Sequence, residues 1–229
     1  MRNLAAWRAG LGRALTVACL AAAAAAMPAS AAPPLTRPQA LQGLAQSDAA
    51  RRVAALERLA EVGTMADVER VARHLRGENE SERETAAAAL WVIWSRSGDA
   101  GIDQLFSRGT ALMSRGELPQ ALALFDEIVR LKPAFAEGWN KRATVLFLLG
   151  RDAESLRDCD EVLKRNPHHF GALSGMAQIH MRGGNLEGAL VAYERALKVN
   201  PNLLDGAQTL RRLEEAVRAQ RRAAGLGRT

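Results

Sequence analysis

Cysteine is scarce in this 229-residue chain: Cys19 and Cys159 are the only two. Cys19 lies within a leader-like first segment, so the processed chain is expected to keep one thiol and no internal disulfide, even in an oxidising compartment. Aromatic residues make up 4% of the sequence, while Ala, Leu, Arg and Glu abound, a balance that favours helices over strands. No Cys-x-x-Cys, His-Glu-x-x-His, glycine-rich phosphate loop or Ser/His/Asp spacing occurs, so the usual signatures of redox, zinc, nucleotide and hydrolase chemistry are missing. Charge of one sign is missing from the body as well. Of the net +6, three charges come from Arg2, Arg8 and Arg13, in a stretch with no acidic residue, and six arginines against two glutamates over residues 207–229 add four, which leaves the body at about −1. A phosphate-binding surface over the body is therefore not expected, and no aromatic residue lies among the tail arginines to stack on bases, so no nucleic-acid partner is expected either.

Residues 1–31 have the form of a secretory signal: a basic start, one apolar run from Leu15 to Ala26, and small residues at Ala29 and Ala31 before the proline-rich segment at residues 32–38. The run is short for a membrane span, and no Arg-Arg pair points to the twin-arginine route. Cleavage after Ala31, by the general secretion route into the periplasm, is the expectation. The alternative is an outer-membrane-anchored assembly lipoprotein: Thr16-Val17-Ala18-Cys19 has the outline of a lipid-attachment box, with Thr16 where leucine is usual, and membrane contact is expected only if Cys19 is lipidated.

The middle of the chain repeats itself at a shift of 34 residues. That shift aligns Leu105, Trp139 and Leu173; Gly109, Ala143 and Ala177; Gly116, Gly150 and Gly184; Leu122, Leu156 and Leu190; Phe125, Cys159 and Tyr193; and Pro133, Pro167 and Pro201. Small residues allow two helices to approach, and large ones fill the space beside them. The glycines suit a left-handed residue that closes a first helix. Each proline stops a second helix and keeps its predecessor out of the helical region. Such a pair cannot bury its apolar faces alone and must stack on its neighbours. These aligned positions resemble the tetratricopeptide (TPR) repeat, three copies covering 102–135, 136–169 and 170–201.

The resemblance implies an all-α, right-handed solenoid of stacked antiparallel helix pairs, whose first helices line a concave groove for a protein or peptide partner of unspecified identity. By analogy the groove residues are Phe106, Thr110 and Met113, then Asn140, Thr144 and Phe147, then Ser174, Gln178 and Met181. Asn140 and Gln178 carry amides suited to a peptide backbone. TPR domains that clamp the C-terminal carboxylate of cytosolic chaperones place Lys, Asn and Arg on these helices; here the matching positions hold Phe106, Thr110, Lys141, Gly171 and Gly175, so that activity is not carried over.

Outside the repeats, residues 39–97 show helical spacing capped by Asp48 and by Asn79 or Ser81. The order Asp48, Arg52, Ala55, Leu59, then Glu82, Arg83, Ala86, Ala89, Leu90, resembles HEAT-type repeats, either a binding module or a cap for the array. Residues 95–101 mark the boundary. An amphipathic capping helix is expected at 202–218, and a frayed basic tail at 219–229.

Chemistry is harder to place. Glu137, Asp158, Asp160 and Glu161 are expected on solvated helix surfaces. Cys159, in the slot of Phe125 and Tyr193, reads as a small buried hydrophobe, and its acidic neighbours oppose thiolate formation. His168 and His169 face different ways, and with His180 they make a poor metal set. No cofactor, metal or catalytic residue is assigned; an enzyme or metal protein remains the minor alternative.

Overall fold

The computed structural model describes residues 33–225; the leader, with Cys19 and the expected cleavage site, and the last four residues lie outside the described part. The described helices all belong to one compact unit that begins at Pro34. They are α1 (Arg37–Gly43), α2 (Ala49–Val62), α3 (Val68–Arg73), α4 (Glu80–Trp94), α5 (Ala100–Ser114), α6 (Leu118–Leu131), α7 (Ala136–Leu148), α8 (Asp152–Arg165), α9 (Phe170–Arg182), α10 (Leu186–Val199) and α11 (Gly206–Ala223). Single 3-10 turns at Met65–Asp67 and His74–Arg76 flank α3.

The repeat signals act locally. Gly116, Gly150 and Gly184 have φ of 78°, 76° and 75°, the left-handed region where a side chain is strained. Each closes its helix in a Schellman motif: the amides of Glu117, Arg151 and Asn185 donate to the carbonyls of Leu112, Leu146 and His180 at 3.0, 2.8 and 2.9 Å. Before the prolines, Lys132, Asn166 and Asn200 are extended, with φ of −134°, −141° and −123°, which ends α6, α8 and α10.

Those turns make antiparallel pairs, α5 with α6, α7 with α8 and α9 with α10, and each first helix also packs on the second helix of the preceding pair. The first helices α5, α7 and α9 touch one another in sequence, whereas the second helices do not pack together to the same extent. A stack closer along its first helices than along its second is curved, with α5, α7 and α9 on the inner side. Gly109 shows why small residues recur: a Cβ there would lie 2.9 Å from Cζ of the buried Phe125. α11 covers the last pair through Leu213 and Val217, with Leu213 against Ala189, Ala192 and Tyr193.

The N-terminal block, α1 to α4, has its own core of Leu56, Leu59, Val71, Leu75, Leu90 and Ile93. Asp48 and Asn79 cap α2 and α4. Two buried carboxylates hold the block's helices together: Asp67 accepts from Arg37, and Glu82 from Arg52 and His74. The block does not continue the stack onto α5. Its core extends instead to Phe170, Val199 and Leu203, at the far end of the array.

Candidate functional site

On α7, residues 137, 140, 144 and 147 fall on one stripe, as 171, 174, 178 and 181 do on α9, because three- and four-residue steps return to the same helical face. These stripes lie on the inner side of the stack and divide into a covered end and an open end.

The covered end is built around Glu137, which is fully buried. His169 is also fully buried; its Nδ1 accepts from the Ala172 amide at 3.0 Å as the cap of α9, which leaves Nε2–H to donate to Glu137 Oε2 at 2.8 Å. Asn140 Nδ2 donates to both carboxylate oxygens at 3.1 Å, and Lys141 Nζ lies 3.1 Å from Oε1. Burial pushes the Glu137 carboxyl up, but Lys141, His169 and Asn140 together outweigh it and hold the group at about 2. Above this cluster sit two rings from α4: Trp94 stacks on His169 with centroids 4.4 Å apart, and Trp91 meets His169 and Phe170 edge-on at 5.4 and 5.5 Å. The Lys141 ammonium lies 5.8 Å from the Trp91 ring.

Two expectations are corrected here. Glu137 is not on a solvated surface, because its turn of α7 lies beneath α4. Asn140 is 7% exposed with its amide directed at Glu137, so it is no longer open to a partner. The signal was present in the 34-residue register, which places His169 in the slot of the apolar Phe135 and Leu203.

At the open end, Thr144, Phe147, Ser174 and Gln178 are half-buried and Met181 is 36% exposed. The Thr144 hydroxyl donates to the Asn140 carbonyl at 2.9 Å. The Arg182 guanidinium lies 3.7 Å from the Phe147 ring centroid. Among the described residues, neither the buried Ser174 Oγ nor the Gln178 amide has a hydrogen-bond partner. On α5, Phe106 packs on Phe125 and Phe135 at 6.1 and 5.5 Å, Thr110 donates to the Phe106 carbonyl, and Met113 is half-buried on the Phe125 cluster. Thr110 and Met113 thus join the half-buried surface, while Phe106 serves mainly as packing.

On the other side of the stack, Arg142 bridges pairs. It donates to Asp158 Oδ2 at 2.7 Å and Oδ1 at 2.8 Å and to Asp126 Oδ1 at 2.9 Å, and the Asp158 hydrogen bond in particular raises its already high pKa. Asp158 is buried by this contact, contrary to the expectation of a solvated carboxylate. Arg142 and Arg165 also lie 4.8 and 4.9 Å from the Trp139 ring. A small cavity of about 120 Å³ beside Arg142 is lined by Arg151, Arg157, Glu154 and Asp126; Arg151 pairs with Glu154, and Asp126 with Arg142. Cys159 is buried, and burial, with Asp158 and Asp160, pushes its thiol up to about 12, the opposite of a nucleophile. Among the described residues no three His, Cys, Asp or Glu are grouped to hold a metal ion, and no helix is long and apolar enough to cross a membrane.

Two tetratricopeptide-repeat family models match residues 106–168 and 170–203. These are tetratricopeptide repeats. A TPR repeat-containing protein of Rhizobium etli is 38% identical over 128 residues, 56% of this chain and 63% of that protein. A tetratricopeptide repeat and J domain-containing co-chaperone of Fusarium oxysporum is 29% identical over 44% of this chain and 19% of its own length; for the Hsp70-Hsp90 organizing protein of Triticum aestivum the figures are 25%, 44% and 17%. The chain thus spans under two thirds of each of these relatives. The Sgt2 TPR domain of Aspergillus fumigatus shares the fold at a TM-score of 0.51, with 22% identity over 55% of this chain and 85% of that domain.

Proposed function

We propose that this TPR chain is a non-catalytic adaptor that holds a peptide or a partner helix against the inner side of α7 and α9. The observation that carries this reading is the Gln178 amide, which is half-buried, has no hydrogen-bond partner among the described residues, and lies beside Thr144, Phe147 and Met181 on the open stripe. A carboxamide both donates and accepts, which suits the backbone of a bound segment. Relatives named as a co-chaperone and a chaperone organiser support the reading, since both names describe proteins that work on other proteins.

Affinity capture with the purified chain tests it. Replacing both Gln178 and Met181 by Ala should abolish capture of the partner that wild type holds, while replacing Arg211, Arg212 and Arg218 by Ser should not. The reverse pattern would move the working surface to α11. Export remains part of the proposal, supported by the leader-like residues 1–31: mass spectrometry of the secreted form should find an N-terminus at Ala32, and a lipid-modified Cys19 would favour the anchored alternative.

A further inference from the structure

α4 occupies ground that belongs, by helical register, to the same inner stripe. Glu137 and Asn140 continue the line of Thr144 and Phe147, and Gly171 that of Ser174, Gln178 and Met181. Trp91 closes over Gly171 so tightly that a Cβ there would lie 2.5 Å from its Cη2.

Three features mark a seat that can be vacated. The floor is satisfied by its own members, since Glu137, Asn140, Lys141 and His169 bond one another and none of them hydrogen-bonds α4 among the described residues. Lifting the block therefore breaks ring contacts there, the apolar packing of Phe170, Val199 and Leu203 on its core, and two hydrogen bonds at the edge, from Arg76 to the Lys198 carbonyl and from Asn202 Nδ2 to the Leu75 carbonyl. In the closed arrangement the Trp94 indole N–H is buried with no acceptor among the described residues, a cost that opening removes by hydration. The block has its own core, and it joins α5 through residues 95–99, exposed or half-buried, with Gly98 at φ 77°. Apolar ring burial and an unsatisfied polar group thus oppose each other across one short linker, as a two-state element requires.

We propose that the N-terminal block is a lid on the TPR inner surface: the Trp91–Trp94 pair docks on the first turns of α7 and α9, and swings away about residues 95–99 to give a partner the full stripe. The lid rests on the adaptor reading for its purpose but not for its test.

Two dyes on exposed positions, Arg51→Cys in α2 and Glu194→Cys in α10, report the distance from block to array by single-molecule energy transfer in the full chain. Cys19→Ser removes the competing thiol, and Cys159 is too buried to label. Gly171→Leu fills the Trp91 seat from the array side, and Trp91→Ala empties it from the lid side. Both variants should raise the ratio of low-transfer to high-transfer molecules about tenfold or more, with the helical circular dichroism signal unchanged. An unaltered transfer distribution in both, or a change that comes with lost helix signal, overturns the lid. No partner is present in this measurement, so a fixed block would leave the adaptor reading intact, and a failed capture would leave the lid intact.

Discussion

Glu137 is the residue whose environment departs most from that of an ordinary helix-surface carboxylate. Full burial would by itself favour the neutral acid, yet one ammonium, one imidazole N–H and one carboxamide converge on it and keep it ionised. Because its folded pKa of about 2 lies below the ordinary 4.5, the charge stabilises the fold fully above pH 4.5, and that contribution is lost as pH falls through about 2. The shift corresponds to roughly 3 kcal/mol. Urea denaturation at a series of pH values should show wild type more stable than Glu137→Gln near neutrality, with the gap closing between pH 4.5 and 2. A gap that stays constant over that range would show that the cluster does not hold the carboxylate ionised.

At the scale of the element, glycines of identical chemistry have opposite roles. Gly109 in α5 faces the Phe125 ring, so Gly109→Ala should lower stability by about 1–3 kcal/mol through overpacking, although alanine is the better helix former. Gly175 in α9 has nothing within 4 Å of the place a methyl group would take, so Gly175→Ala should raise stability by about 0.5–1 kcal/mol. Thermal melts of the two single variants check both signs. The 34-residue register makes Gly109 legible, since it aligns with Ala143 and Ala177, and the caps at Gly116, Gly150 and Gly184 are legible because a left-handed turn is a local matter. The seating of α4 is not: no periodicity in residues 80–94 says that Trp91 and Trp94 meet residues 169–171, because that contact depends on how the whole array curves. Asp158 was hidden for the same reason, its partner Arg142 lying on a different helix.

At the scale of the molecule, the repeats do two things with one set of helices. One stripe of α7, with Ala143 and Leu146, is spent on the stack, and the neighbouring stripe, from Glu137 to Phe147, faces inward. The inner stripe is shared between an intramolecular occupant at its first turns and a half-buried, partly unsatisfied surface beyond. On the proposed reading, this second surface receives a protein partner. A photo-crosslinking amino acid at Gln178, compared with one at Arg157 on the opposite side, tests it most directly in cells that make the protein at its native level. A discrete adduct from position 178 and none from 157 is the expected result; adducts from 157 alone would contradict it.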